Sequence, residues 1–285
     1  VRFIDRRFFM AAGAALALLP GTAGAQPVQM KRAGGHLLIP VTVGGRTVDA
    51  VLDTAAEASV VDKAFAAELG LKGYRTATAR GSGAASIQTQ LVKGVVLQVA
   101  GLTLRPRFVA IIDLGDIGRR LIGRPISMIL GREFFDASRI AVDVDAATLT
   151  PLDRSREPAG KRVALTPRRG VEQVAVTIEG IAATADFDIG NAGHVLIGEA
   201  FAARHGFLTG RPLGSIGGGG IGGEARQSTL ALKSLDIAGR RFTNIVAAVD
   251  ANPEAADCNV GTQVLRSFGI VADFARHAVW LDARA

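Results

Sequence analysis

Val51-Leu52-Asp53-Thr54-Ala55-Ala56 carries an apolar run straight into an aspartate, and Asp186-Phe187-Asp188-Ile189-Gly190-Asn191 does so a second time. A carboxylate at the end of a hydrophobic segment is costly to desolvate unless it is paired or hydrogen-bonded. A single aspartate of this kind is adequately explained as a turn residue bonding nearby amides. Two in matching surroundings point to a shared site. The surroundings do match: Val41-Thr42-Val43-Gly44-Gly45 lies twelve to eight residues before Asp53, and Val176-Thr177-Ile178-Glu179-Gly180 lies twelve to eight before Asp188. After each acid comes a helix-like segment, Ala64-Phe65-Ala66-Ala67-Glu68-Leu69-Gly70-Leu71 in one copy and Ala200-Phe201-Ala202-Ala203-Arg204-His205-Gly206-Phe207 in the other. The two acids are 135 residues apart. That interval is far too long for a solenoid repeat and suits two similar domains in one chain.

Outward from these stretches, alternating apolar residues predict strands over His36 to Val43 and Thr47 to Leu52, turned by Gly44-Gly45. Ser59 or Asp62 is placed to cap a short helix that Gly70 ends. A polar, glycine-rich excursion from Gly73 to Gly94, with Gly81-Ser82-Gly83 at its tip, precedes strands at Val95 to Val99, Phe108 to Ile112 and Ile140 to Val144. The second half replays the order, with its own excursion from Gly214 to Gly223. Pro151 to Arg162 is polar and charged, which places a linker at 153–162 between units at 26–152 and 163–285. With 48% hydrophobic residues, only 5% aromatics and 35 glycines, the 285-residue composition favours short strands and turns over helical bundles.

Residues 1–25 read as a removable export signal: Arg6-Arg7 precede a short apolar stretch, Pro20-Gly21 break it, and Ala23-Gly24-Ala25 offers a cleavage site. The pair of arginines resembles a twin-arginine signal, so a periplasmic or secreted location is expected. About a dozen apolar residues fall short of the roughly 20 that span a bilayer, so no lasting membrane insertion is expected. Cys258 is the only cysteine, which excludes an intramolecular disulfide and leaves stability to the core. The net charge of +7 is spread over scattered arginine pairs without interleaved aromatics, a solvated basic surface rather than a nucleic-acid site. His36, His194, His205 and His277 show no ligand spacing, and no metal or other cofactor is expected. Gly217 to Gly222 fits a dinucleotide-binding glycine pattern only because glycine dominates the run, and no amphipathic helix follows.

The motif set resembles the aspartic proteases of the retropepsin-like and pepsin-like group. Leu52-Asp53-Thr54-Ala55-Ala56 pairs with Ile129-Leu130-Gly131 in the first half, and Phe187-Asp188-Ile189-Gly190 pairs with Asn259-Val260-Gly261 in the second. The resemblance covers about residues 36 to 285. It implies a mainly β fold of two tandem retropepsin-like β-barrel lobes with short helices, related by a pseudo-twofold, as in bilobal acid proteases. It also implies that Asp53 and Asp188 meet in a cleft as catalytic acids, supported by Thr54, Ala55, Ile189 and Gly190. Two glycine-rich flaps would then cover the substrate, with Gly81, Ser82, Gly83, Gly218, Gly219 and Gly220 at their tips. Two carboxylates held together share a proton, so one activates water while the other protonates the attacked carbonyl. A complete pair in one chain needs no partner copy, so a monomer acting on peptides is expected.

Two positions depart from the family pattern. Ala55 stands where glycine is usual, and a left-handed backbone there would cost about 1 kcal/mol. Ile189 stands where a hydroxyl is usual, so of the two residues after the acids only Thr54 can reach across to the opposite loop. Two functions follow: an exported aspartic endopeptidase, or a catalytically weak pseudoprotease that binds peptide segments in the same cleft.

Overall fold

The computed structural model describes residues 2–3, 26–211 and 214–284. The expected export signal therefore lies outside the described residues, apart from the two-residue strand Arg2–Phe3, which pairs along the outer edge of Arg75–Arg80. The chain is mainly β with short helices.

Each aspartate stands at the end of a hairpin. His36–Val43 pairs antiparallel with Arg46–Leu52 through Gly44 and Gly45, both at positive φ. Val171–Ile178 pairs in the same way with Ile181–Phe187 through Glu179 and Gly180, again both at positive φ. Two left-handed residues make the tight turn whose twist matches that of the flanking strands. Beside each acid-bearing strand lies a short parallel neighbour. Met128–Leu130 runs along Arg46–Leu52, and Cys258–Val260 along Ile181–Phe187. Met128, Ile129 and Leu130 are all buried, the run of apolar residues expected of a strand covered on both faces. Each neighbour also pairs antiparallel with the strand that follows its acid, Val60–Asp62 in one half and Val195–Gly198 in the other. Those strands in turn pair parallel with Val109–Ile112 and Arg240–Asp250. The repeat seen in sequence is thus repeated strand by strand in the hydrogen-bonding pattern.

The two helices expected after the acids form, at Lys63–Glu68 and Glu199–Arg204. Lys63–Glu68 is capped by the Asp62 carboxylate, which accepts from the amides of Ala64 and Phe65. Ser59 is not the cap; its hydroxyl accepts from the Gly131 amide. Gly70 ends that region at positive φ. Gly115–Ile117 and the wide helical turn Gly118–Ile122 form a segment with no periodic signal in its residues.

The expected linker at 153–162 overlaps the start of a strand. Lys161–Arg168 is a strand whose first residues, Lys161 and Arg162, lie opposite Leu281 and Trp280, so the irregular stretch is shorter than 153–162. Strands from both halves share a sheet there: Val28–Gln29, Thr148–Leu152 and Arg139–Asp143 join Phe268–Asp273, Ala278–Ala283 and Lys161–Arg168. A buried core running through both halves includes Phe134, Phe135, Phe187, Phe201, Phe268 and Phe274.

Candidate active site

Asp53 and Asp188 leave their strands at equivalent points. The Asp53 amide donates to the Leu130 carbonyl at 3.0 Å, and the Asp188 amide donates to the Val260 carbonyl at 3.1 Å. The turns beyond are closed in the same way, by Arg132 N to Ala56 O at 3.0 Å and by Thr262 N to Asn191 O at 2.8 Å. Gly131 and Gly261 permit this contact. A Cβ on Gly261 would lie 2.2 Å from the Asn191 carbonyl oxygen, and one on Gly131 would lie 2.8 Å from the backbone of Ala58.

The two loops are tied by Thr54. Its buried hydroxyl donates to the Phe187 carbonyl at 2.8 Å and accepts from the Ile189 amide at 2.8 Å, so one side chain of the first half grips both sides of Asp188. Ile189 returns no such bond and is fully buried in the apolar core. Gly190 lies against Asp53: a Cβ there would be 2.5 Å from the Asp53 carboxyl carbon, so the close approach of the loops depends on its missing side chain. Ala55 occupies the matching place in the first half. Its backbone is not in the left-handed region, so the strain anticipated there is not incurred. Its amide donates to Asp53 Oδ1 at 2.8 Å.

Asp188 is held by more groups than the sequence suggested. Its Oδ1 accepts from the Asn191 amide at 3.0 Å, and its Oδ2 accepts from Asn259 Nδ2 at 2.7 Å. Asn259 is fixed in turn by Asn191 Nδ2, which donates to Asn259 Oδ1 at 2.8 Å. Burial, followed by the nearby charge of Asp53, pushes the Asp188 pKa up to about 7, against the lowering effect of the Asn259 hydrogen bond. The charge of Asp53 disfavours a second charge beside it, so Asp188 keeps its proton up toward neutrality. His36 faces the same site; burial lowers its pKa although the Gly34 carbonyl and Asp53 favour the charged form. Behind the first loop, Glu133 accepts from the Ser59 amide at 2.7 Å, and burial pushes its pKa up to about 7. Cys258 is buried, and its thiol pKa is pushed up by that burial and by Asp186, which describes an inert side chain.

Both acids line one cavity of about 330 Å³. Its walls differ in character. Val51 and Ile129, which are register partners, line it in the first half, joined by Ile117, Leu121, Ile122 and Ile126. The equivalent register pair in the second half is polar, Asp186 opposite Asn259.

The two glycine-rich excursions are hairpins, Arg75–Arg80 with Ile87–Val92 and Gly214–Gly218 with Ala225–Ile237, and their tips meet. The amides of Gly83 and Ala85 donate to the carbonyls of Ile221 and Gly222, each at 3.0 Å. Gly222 has φ +99°, and a Cβ on it would lie 2.0 Å from the Ala85 carbonyl oxygen, so glycine is required by both conformation and approach. Of the expected tip residues, Gly81, Ser82, Gly218, Gly219 and Gly220 line the cavity with the two acids. Gly83 instead makes the contact between the tips. Arg120 fastens the second tip, donating to the carbonyls of Gly218, Gly219 and Gly220 at 3.0 to 3.3 Å while paired with Asp116. Sequence reading missed Asn259, Asp186 and Arg120 as site residues; a polar Asn at the position equivalent to Ile129 was the signal for the first two.

Among the described residues no group of three or more histidine, cysteine or acidic side chains is placed to hold a metal ion, and no helix is long and apolar enough to cross a membrane.

Residues 39–134 match a family model described as Aspartyl protease. That segment contains Asp53, and through it the chain is similar to the aspartyl proteases. A solved retropepsin-like aspartic protease from Rickettsia conorii is similar at 21% identity, covering 42% of this chain and 88% of that chain with a TM-score of 0.35. No curated protein matches the sequence.

Proposed function

We propose that the chain is an exported aspartic endopeptidase, built as two tandem lobes, in which Asp53 and Asp188 form one catalytic pair. The observation that carries this reading is the placing of both acids in one cavity, with Asp53 among the causes that raise the Asp188 pKa to about 7. The pair holds one proton, and the burial of Asp188 favours that residue as its carrier. A water between the carboxyl groups gives its proton to the ionised one as its oxygen attacks the peptide carbonyl, and the protonated one donates to the carbonyl oxygen. Collapse of the tetrahedral intermediate breaks the C–N bond, and the proton taken from water passes to the leaving amine. The joined hairpin tips exclude solvent while this happens and must part to admit a peptide. Export rests on the Arg6-Arg7 pair and the Ala23-Gly24-Ala25 site, and a mature protein beginning near Gln26 is its expected mark.

The buried Ile189 favours a second reading, a weak or inactive relative that binds peptide segments, because half of the cross-loop hydroxyl bonding is absent. Incubation of residues 26–285 with denatured protein between pH 3 and 7 separates the two. The endopeptidase reading expects internal cleavage that a statine-type inhibitor abolishes. Peptide binding without cleavage at any of these pH values supports the second reading and contradicts the first.

A further inference from the structure

We propose that Arg80 determines substrate specificity by binding a carboxylate of the peptide held in the cleft, which rests on the peptide-cleft reading above. Arg80 ends the strand Arg75–Arg80 next to the tip of the first lid and lines the cavity together with Gly81, Ser82, Asp53 and Asp188. The other charged groups around that cavity have partners. Asp186 accepts from Gln173 at 2.8 Å, Asp188 from Asn259, Asp250 from the Asn252 amide at 2.9 Å, and Glu254 pairs with Arg169 at 2.9 Å. The Arg80 guanidinium forms no hydrogen bond or ion pair with the described residues, and its Nε is buried without a partner.

A half-buried cation whose Nε is buried and unused carries a standing cost, since guanidinium cannot shed its charge as lysine or histidine can. Such a group is retained where an incoming ligand completes it. The guanidinium fork presents two parallel N–H groups that match a carboxylate and are shorter and stronger than neutral hydrogen bonds. Carbonyl oxygens of a peptide backbone satisfy one donor at a time and leave the charge uncompensated. The rest of the cavity sharpens the choice. Asp186, Asp250 and Glu254 lie on the second-half wall, where an acidic side chain is repelled, and the isoleucine-rich wall of the first half offers it no partner. Arg80 is therefore the place in the cleft where an acidic group is stabilised, and it fixes the register of the peptide relative to the two acids. The carboxylate has two possible sources, an aspartate or glutamate side chain or the free C-terminus of the peptide.

The test uses residues 26–285 with Asp53→Asn, which blocks turnover, and fluorescence anisotropy with labelled octapeptides of one apolar scaffold. Each position is varied between Glu and Gln, and each peptide is made with a free carboxylate or an amide at its C-terminus. The proposal expects one arm, a single Glu position or the free terminus, to bind about tenfold more tightly than its neutral counterpart. That ratio falls to near one when Arg80→Gln is added and is partly kept by Arg80→Lys, with melting temperatures confirming that each variant is folded. Which arm responds identifies the source of the carboxylate. Tight binding that is indifferent to Glu, Gln and terminus, or a preference that survives Arg80→Gln, overturns the assignment while leaving the cleft intact. Absence of binding by every peptide overturns the cleft reading and this assignment with it.

Discussion

At the scale of single residues, the proposed chemistry depends on Asp188 keeping a proton that an ordinary aspartate would lose. Its pKa is raised by burial and by Asp53, so between about pH 4 and 7 the folded protein holds a proton that the unfolded chain has released. More protons bound in the folded state means stability falls as pH rises through this window. Glu133, also raised to about 7 by burial, adds a fall of the same sign. His36 opposes it: its lowered pKa makes stability drop as pH falls below its ordinary value. The Asp53→Asn variant isolates the contribution of the pair. Without the neighbouring charge Asp188 ionises more easily, so the variant gains on the wild type as pH rises from 4 to 8, by the order of 1 to 2 kcal/mol. Urea unfolding of both proteins across that range measures the gain, and parallel stability curves would contradict a coupling between the two acids. Much at this scale was legible because it is local. Asp53, Thr54, Ile189 and Gly190 lie in contiguous stretches, and the inability of Ile189 to bond across is a matter of its side chain alone. Asn259, Asp186 and Arg80 were not legible as a group. What makes Asn259 and Asp186 neighbours is the parallel register of two strands 73 residues apart, Asp186 opposite Asn259, and no local pattern encodes that pairing.

At the scale of elements, the hairpins were readable from alternation and from Gly44-Gly45 and Glu179-Gly180, because turn chemistry and side-chain period act within a few residues. The lids were readable as glycine-rich excursions, but their mutual contact was not. It depends on the carbonyls of Ile221 and Gly222 meeting the amides of Gly83 and Ala85, and on Ile221 packing into the smaller apolar cluster that holds Leu114, Ile117 and Ile122. Arg120 completes the clasp from a wide helical turn, a form that interrupts the normal helical period and leaves no clear trace in sequence. Its guanidinium holds three successive carbonyls of the second lid, so Arg120→Ala should free that lid without touching the acids. Amide exchange within residues 214–223 is expected to quicken by about tenfold, with the core strand Met128–Leu130 unchanged. Unaltered exchange in the lid would show that the backbone bonds and Ile221 hold it unaided.

At the scale of the whole molecule, the halves are joined by more than the Thr54 grip. Arg132, directly after Gly131, donates to the Gly170 carbonyl at 2.9 Å and to the buried Glu172 at 3.0 Å. Arg139 and Arg154 meet the buried Asp273, and Arg139 stacks over Trp280 at 4.6 Å. Buried ion pairs of this kind contribute little net stability, yet removing one partner is costly, so they act mainly to fix how the halves meet. The repeat was legible in sequence from the interval between the acids; the shared sheet was not, because it interleaves the ends of both halves. In the proposed function the two halves supply one acid each to a single catalytic pair. Turnover of a denatured protein by the Asp53→Asn and Asp188→Asn variants, and by the variant with both changes, tests it most directly. Each single change is expected to abolish cleavage and the double change to be no worse, because neither carboxyl can serve as both base and acid. Full turnover by the Asp188→Asn variant would contradict it, showing the second half to be a scaffold for an acid that works alone.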